Sequence, residues 1–168
     1  MEKIGFGGSC HWCTEAIFLS LKGVTKVEQG WIAANEPLDT FSEAVTVYYD
    51  TKVITLENLI TVHLYTHSCT SAHQLRSKYR SAIYTTNEAQ ENIAKEVILA
   101  LQKDFDEQII TLVLPFQQFK INSEQYRNYY FKDPKKPFCE NIVNPKLKEL
   151  LTKFSQFIDH RKLRHLSN

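Results

Sequence analysis

Two strand-like segments follow each other directly, between the first two helices that the sequence predicts. Residues 24–32 and 43–50 are rich in β-branched and aromatic side chains, which is typical of strands. Apolar positions at helical spacing predict helices over about 13–22 and from Thr55 onward. Further strands are predicted at 3–7, 79–85 and 108–114. This order favours an α+β fold, specifically a ferredoxin-like two-layer sandwich with a mixed or antiparallel sheet, over a doubly wound parallel sheet.

The rest of the chain carries helix and loop signals. A helix is predicted to open at Thr86 or Asn87, and a short helix is predicted over 123–131. Prolines punctuate residues 133–145, which predicts a loop before a last helix.

Length and the absence of internal repeats or linkers indicate one domain. A chain of 168 residues, 43% of them hydrophobic, is long enough to bury a core without additional cross-links. We therefore expect a single domain over 1–168, with its core at about 1–150 and a basic helix or tail at 151–168.

Charge and cysteine content exclude several classes of protein. The net charge of +1 gives no overall attraction to nucleic acid or to membranes, and no signal peptide or long apolar run is present. We expect a cytoplasmic monomer. The four cysteines are too few for a disulfide scaffold, so each is expected to be buried, metal-bound or catalytic.

The most reactive candidate is Cys10, in the stretch GSCHWCTEAIF at residues 8–18. The predicted elements place Cys10 where a strand turns into the first helix. Backbone N–H groups at a helix start stabilise an anion, so a cysteine there gains thiolate character. Cys13 lies one helical turn further on, close enough for a disulfide where the geometry permits. Trp12 is a candidate apolar wall.

The C-x-x-C spacing alone leaves redox, zinc-binding and structural roles open. Zinc sites usually add a second pair of ligands at similar spacing. The remaining candidates form no second C-x-x-C; they are His67, Cys69, His73 and Cys139. Cys69 is expected to be a small buried residue. A thioredoxin-like fold is disfavoured because its motif follows a longer strand–helix lead-in.

Beyond this motif, the chain resembles the A-class methionine sulfoxide reductases. That family carries the signature G-C-F-W-G/C-x-E-x-x-F, and residues 9–18 here read SCHWCTEAIF. Further matches to the family occur in the same order along about residues 3–150. They are LKGVTKVEQGW (21–31), SEAVTVYYD (42–50), LENLITVHLYTH (56–67), YRSAIY (79–84) and DPKKPFC with NPKL (133–147).

The resemblance implies reduction of methionine S-sulfoxide, free or within peptides, without a cofactor or a metal. In this interpretation the Cys10 thiolate attacks the sulfoxide sulfur. Glu43 matches the family's catalytic carboxylate, which is kept protonated by an apolar pocket and protonates the departing oxygen. Tyr79 matches a tyrosine that hydrogen-bonds the same oxygen. Cys10 then becomes a sulfenic acid, a second thiol forms a disulfide with it, and a dithiol such as thioredoxin reduces that disulfide.

The same resemblance assigns the remaining site residues. Cys13 is favoured as the first resolving cysteine, and Cys139, which aligns with the family's recycling cysteine, as a relay in an exposed loop. Trp12 is expected to pack against the substrate methyl group. Trp31 and His11 are expected to contact the substrate as well, and Glu15 to support the site from behind.

Several departures from the family pattern fall near the expected substrate pocket. His11 replaces the signature phenylalanine and adds a titratable edge, and Trp31 replaces a tyrosine. The 32–42 segment is shorter than in the family and lacks its second tyrosine. Gln74 stands at an aspartate position, and Tyr126 at a histidine position. These changes affect substrate recognition more than the sulfur chemistry. The alternatives are a sulfoxide-binding protein without turnover, an enzyme for another methyl sulfoxide, and a zinc module.

Overall fold

A computed structural model describes residues 1–72 and 74–166. The strands are β1 (Glu2–Gly7), β2 (Val24–Ala33), β3 (Ser42–Tyr49), β4 (Ala82–Thr85), β5 (Leu112–Pro115) and β6 (Gln118–Ile121). The helices are α1 (His11–Leu19), α2 (Leu56–Thr66), α3 (Glu88–Leu101), α4 (Tyr129–Lys132) and α5 (Asn144–Lys153). Among these described residues no helix is long and apolar enough to cross a membrane.

The strands of the described residues form one sheet in the order β5-β4-β1-β3-β2-β6. β1 pairs antiparallel with β3 and β4, and β2 pairs antiparallel with β3 and β6. β4 and β5 pair in parallel. The sheet is therefore mixed and the prediction of an α+β fold is confirmed.

Alternation along the strands divides the core between the two faces of the sheet. Phe6 of β1 belongs to the larger cluster, where its ring stacks on Phe18 of α1 with centroids 4.6 Å apart. Tyr84 of β4 and Ile32 of β2 belong to the smaller cluster on the other side of the pleat, with Leu38 packed against it. The helices thus cover one face, and the loop between β2 and β3 helps to cover the other.

The predicted helix starts are confirmed where the side chains cap the backbone. The Thr55 side chain accepts a hydrogen bond from Asn58 N–H at the start of α2. The Asn87 side chain accepts one from Gln90 N–H at the start of α3. Helix α1 begins at His11, two residues earlier than predicted, with Cys10 as its N-cap.

The edges of the sheet differ from the sequence prediction. The strand predicted at 79–85 is confined to β4, because the Ser42 hydroxyl donates to Lys78 O and accepts Arg80 N–H just before it. β5 is shorter than the predicted 108–114 strand and includes Pro115, which an edge strand tolerates. β6 was not predicted because Phe119 alone among its residues is partly buried.

Two segments in the C-terminal third also differ. The helix predicted over 123–131 is interrupted at Asn128, whose φ of 54° is left-handed, so that α4 starts only at Tyr129. The predicted loop at 133–145 contains a wide helical turn, Cys139–Val143, that continues into α5. Burial of Cys139 and Val143 in the core explains this turn.

The basic C-terminal tail does not continue as an α-helix beyond α5. Helix α5 ends at Lys153, and the following residues pack back onto the domain. Ile158 and Leu163 are buried, and Ile158 forms an isolated β-bridge with Leu21. Apolar burial therefore fixes the part of the tail that the structure describes, despite its many basic residues.

Candidate active site

The turn between β1 and α1 positions Cys10. Gly8 adopts a φ of +135°, which disfavours side chains, and a Cβ there would lie 2.5 Å from the His67 ring. Cys10 then caps α1 and remains half-buried. This turn places Cys10 at the start of the helix, where the N–H groups of Trp12 and Cys13 lower the pKa of its thiol.

The surroundings of Cys10 favour its thiolate form. A hydrogen bond from the Cys13 thiol is the largest cause that lowers the pKa of Cys10, and burial opposes it. Together with the N–H groups of Cys13 and Trp12 and the charge of Lys146, it brings that pKa to about 6. The same hydrogen bond raises the pKa of Cys13, which is buried and remains a thiol.

This pKa predicts a pH dependence of alkylation. Below pH 6 Cys10 is mostly a thiol, and above it mostly a thiolate, so the rate of its reaction with iodoacetamide should be half-maximal near pH 6 instead of near the ordinary 9.0. In Cys13→Ala the midpoint should move to higher pH, because the largest stabilising interaction is lost. Mass spectrometry of the Cys10 peptide measures both rates. Cys69→Ala is the control, and a midpoint near 9 in the unmodified protein would contradict the assignment.

A cavity of about 590 Å³ opens beside the two thiols. Its lining includes Cys10, Cys13, Tyr79, Phe138, His67 and Lys146. Burial lowers the pKa of His67 to about 4, so its ring is neutral, whereas Lys146 carries a charge and lies 3.5 Å from the Ser9 hydroxyl. The cavity is large enough for a side chain the size of methionine sulfoxide.

Tyr79 is fixed beside this cavity by Arg76. The Arg76 guanidinium donates to the carbonyl oxygens of Tyr79 and Gly8 at 2.8 and 2.9 Å. It also donates to the carbonyls of Ser68 and Ser71. One cation therefore ties the Cys10 turn to the loop that carries Tyr79, so both predicted residues line the same space.

Glu43 does not lie in the apolar pocket that the resemblance implies. It is buried at the start of β3, and its Oε1 lies 3.0 Å from His11 Nδ1 and 3.4 Å from the His11 N–H. Its Oε2 lies 3.5 Å from Lys78 Nζ. Each carboxylate oxygen of Glu43 thus has a polar neighbour, because tertiary packing brings His11 and Lys78 against the group. The contact with the His11 N–H places Glu43 one peptide group from Cys10.

Neither tryptophan lines the cavity among the described residues. Trp12 stacks on Tyr129 with ring centroids 3.9 Å apart, and its indole N–H donates to Tyr126 O. It is therefore covered by another aromatic ring and is not among the described residues that line the cavity. Trp31 contacts His11 edge-on at 4.9 Å. His11 itself is buried and faces Glu43 in place of the cavity.

Glu15 anchors a distant segment. It is buried on α1, and its carboxylate accepts hydrogen bonds from the N–H groups of Asn128 and Tyr129 and from the Gln29 amide. Burial raises its pKa. Through these bonds it holds the start of α4, including the Tyr129 ring that covers Trp12.

The other two cysteines are buried. Cys69 is 2% exposed, which confirms the prediction of a small buried residue. Cys139 is completely buried, so its placement in an exposed loop was wrong; the wide helical turn before α5 packs it into the core. All four cysteines are free. The described residues include no group of three or more His, Cys, Asp or Glu that could hold a metal, and His73 lies outside them.

Sequence reasoning missed three cations of this site. Lys146 lowers the Cys10 pKa, Arg76 holds the Tyr79 loop, and Lys78 contacts Glu43. Lys146 lies in a segment that matches the family, and the other two are close to Tyr79 in the sequence. Nothing in their spacing connects them to Cys10.

The reactivity that this arrangement favours is thiol chemistry, which places the protein among the cysteine-dependent oxidoreductases. The family model described as "Peptide methionine sulfoxide reductase" matches residues 2–158. The chain belongs to this family and is a peptide-methionine (S)-S-oxide reductase. The resemblance inferred from the sequence is thereby confirmed.

Individual relatives agree with this assignment. A relative from Acinetobacter baumannii (strain SDF), named peptide methionine sulfoxide reductase MsrA, is 33% identical over 94% of this chain and 98% of its own. Methionine sulfoxide reductase A of Corynebacterium diphtheriae shares the fold, with a TM-score of 0.69 and 24% identity over 79% of this chain and 75% of that one. Mxr1 from Saccharomyces cerevisiae, solved in complex with Trx2, gives a TM-score of 0.61 at 20% identity over 74% and 82% of the two chains.

Proposed function

We propose that this chain reduces methionine S-sulfoxide, in peptides or free, through Cys10. The observation that carries the proposal is the lowered Cys10 pKa at a cavity of suitable size. The thiolate, the sulfoxide and one proton give the Cys10 sulfenic acid and the thioether. The sulfoxide oxygen thus passes to Cys10, whose sulfur is oxidised while the substrate sulfur is reduced. Glu43 does not line the cavity among the described residues; it lies one peptide group from Cys10 and is the proposed proton source. Tyr79 orients the substrate oxygen from the cavity wall.

We further propose that Cys13 resolves the sulfenic acid. Its thiol is the group that most lowers the Cys10 pKa, and it displaces the sulfenic oxygen as water to form the Cys10–Cys13 disulfide. The hydrogen bond to Cys10 is the largest cause that raises the pKa of Cys13, and the Cys10 charge adds to it. Oxidation of Cys10 removes that charge, so Cys13 becomes easier to ionise at the step that needs its thiolate.

A dithiol protein of the thioredoxin type is the proposed reductant. The complex of the yeast relative with Trx2 supports this class of partner. Cys10 is half-buried at the cavity, whereas Cys139 is fully buried, so an external thiol reaches Cys10 more directly. A relay through Cys139 requires that residue to leave its position in the core.

The architecture supports the same assignment. The segment from β1 to β4 has the order β-α-β-β-α-β, with its strands arranged β4-β1-β3-β2 and all antiparallel. We infer from this order that it is a ferredoxin-like two-layer unit with the catalytic cysteine at the start of its first helix. β5 and β6 extend that unit at its two edges.

A single turnover without reductant tests the proposal. One equivalent of a peptide with methionine S-sulfoxide should yield one thioether and a Cys10–Cys13 disulfide by mass mapping, with Cys139 still a free thiol. In Cys13→Ser, the sulfenic acid should persist and be trapped on Cys10 by a cyclic 1,3-dione. Cys69→Ser is the matched control and should behave as the unmodified protein does. A Cys10–Cys139 disulfide with Cys13 free would refute the order of resolution, and no oxidation of Cys10 would refute the mechanism.

A further inference from the structure

His11 stands where the family signature has phenylalanine, and its side chain has two specific polar partners. The ring is 9% exposed and lies between β2 and β3. Its Nε2 is 2.5 Å from the carbonyl oxygen of Gly30, and its Nδ1 is 3.0 Å from Glu43 Oε1. The Trp31 ring packs edge-on against the imidazole. Each nitrogen of the imidazole therefore has a polar partner, so the ring does more than fill space in the core.

These partners determine where the protons are. A carbonyl oxygen only accepts hydrogen bonds, so Nε2 must carry hydrogen and donate to Gly30 O. Nδ1 and Glu43 Oε1 then face each other, and two lone pairs at 3.0 Å repel unless a proton lies between them. When the pair holds this proton, it is either imidazolium with carboxylate or neutral imidazole with carboxylic acid. Both forms hold one proton between the same two atoms.

The charged groups around the pair come from several elements. Lys78, from the loop before β4, lies 3.5 Å from Glu43 Oε2 and is largely exposed. Lys120, from β6, lies over the outer ring face of Trp31 at 5.8 Å. Cys10 adjoins His11 in the chain. Burial lowers the pKa of His11 and the Glu43 charge opposes that effect. Lys78 thus contacts the Glu43 oxygen that does not face His11.

We propose that His11 is a positioning residue that shares one proton with Glu43, so that the pair supplies the proton taken up by the sulfoxide oxygen. This inference rests on the proposed function. Proton transfer leaves neutral His11, with hydrogen on Nε2, and the Glu43 carboxylate, whichever of the two forms it starts from. The next proton comes from solvent. The polar partner here replaces the apolar surroundings that would otherwise keep a carboxyl group protonated.

The shared proton predicts a specific change in the pH profile. The logarithm of kcat/KM should rise through the Cys10 pKa of about 6 and fall at higher pH, where the pair loses its proton. In His11→Gln the amide cannot share that proton, so the alkaline limb should move toward lower pH by about one unit, with about a tenfold loss of activity above it. The acid limb should stay in place. His160→Gln, at an exposed histidine, should leave both limbs unchanged.

A spectroscopic measurement on the unmodified protein gives a second test. In ¹⁵N spectra of the unmodified protein, assigned by the resonances missing in His11→Gln, Nε2 should stay protonated across the active range. Nδ1 should change with the same apparent pKa as the alkaline limb. If Cys10 is oxidised in a single turnover, either of two results would overturn the inference. One is an unchanged alkaline limb in His11→Gln, and the other is a ring with hydrogen on Nδ1 and none on Nε2. Absence of Cys10 oxidation in the unmodified protein would instead overturn the proposed function, and the inference with it.

Discussion

Replacing Cys10 with serine is expected to lower kcat/KM for a peptide with methionine S-sulfoxide by at least about 10³-fold, equivalent to about 4 kcal/mol of transition-state stabilisation. The serine hydroxyl fits the turn but does not ionise near neutral pH, so the proposed nucleophile is lost. The start of α1 and the Lys146 charge remain and cannot replace it. Turnover driven by dithiothreitol, on the S and R epimers separately, measures the effect.

The matched control for this substitution is Cys69→Ser, since Cys69 is a free buried cysteine that does not line the cavity within the described residues. It should retain turnover of the S epimer if the variant is folded, which its circular dichroism checks. Neither protein should act on the R epimer. Substantial S-epimer turnover by Cys10→Ser would show that another group is the nucleophile.

Replacing Glu43 with glutamine is expected to lower kcat/KM by about 10²- to 10³-fold, within the usual range for loss of a general acid. The amide has nearly the same volume and can still form hydrogen bonds with His11 and Lys78, but it has no acidic proton to transfer. Alkylation of Cys10 should keep its midpoint near pH 6, because Glu43 is not among the groups that set that pKa. Steady-state kinetics and the alkylation profile together separate a lost acid from a damaged site.

Glu28→Gln provides the corresponding control. Glu28 also belongs to the sheet, pairs with Lys26 and accepts a hydrogen bond from Tyr48, but it is remote from Cys10 in the fold. Its replacement should leave kcat/KM within about twofold, the effect of a partly exposed ion pair being small. If Glu43→Gln were as active as Glu28→Gln, Glu43 would not be the proton source.

The two substitutions address different parts of one arrangement. Cys10 owes its reactivity to groups close in sequence, above all Cys13 in the next turn of α1, with Lys146 as the distant contributor. Glu43 owes its surroundings entirely to residues from other elements, namely His11 and Lys78. In the proposed mechanism, the departure from the family signature at His11 therefore concerns the proton supply more than the nucleophile.

The local parts of this protein were determined by the sequence alone. Apolar spacing predicted α2 and α3, and the side chains of Thr55 and Asn87 fixed where they begin. The order of strands and helices predicted the α+β class. Cys10 was predicted at a strand-to-helix turn, where it lies. Each of these features depends on residues within one or two turns of each other, so periodicity and capping signals report them directly.

Only the tertiary structure decided which distant groups meet. The His11–Glu43 contact joins residues 32 positions apart, and the hydrogen bond from the Asn128 N–H to Glu15 joins residues 113 positions apart. Burial of Cys139 likewise depends on packing between α1, α5 and the turn that carries it. Such contacts leave no periodic pattern, because they depend on how the faces of separate elements pack. For the same reason the exposed edge strand β6 was missed and the apolar pocket expected around Glu43 proved to be a polar one.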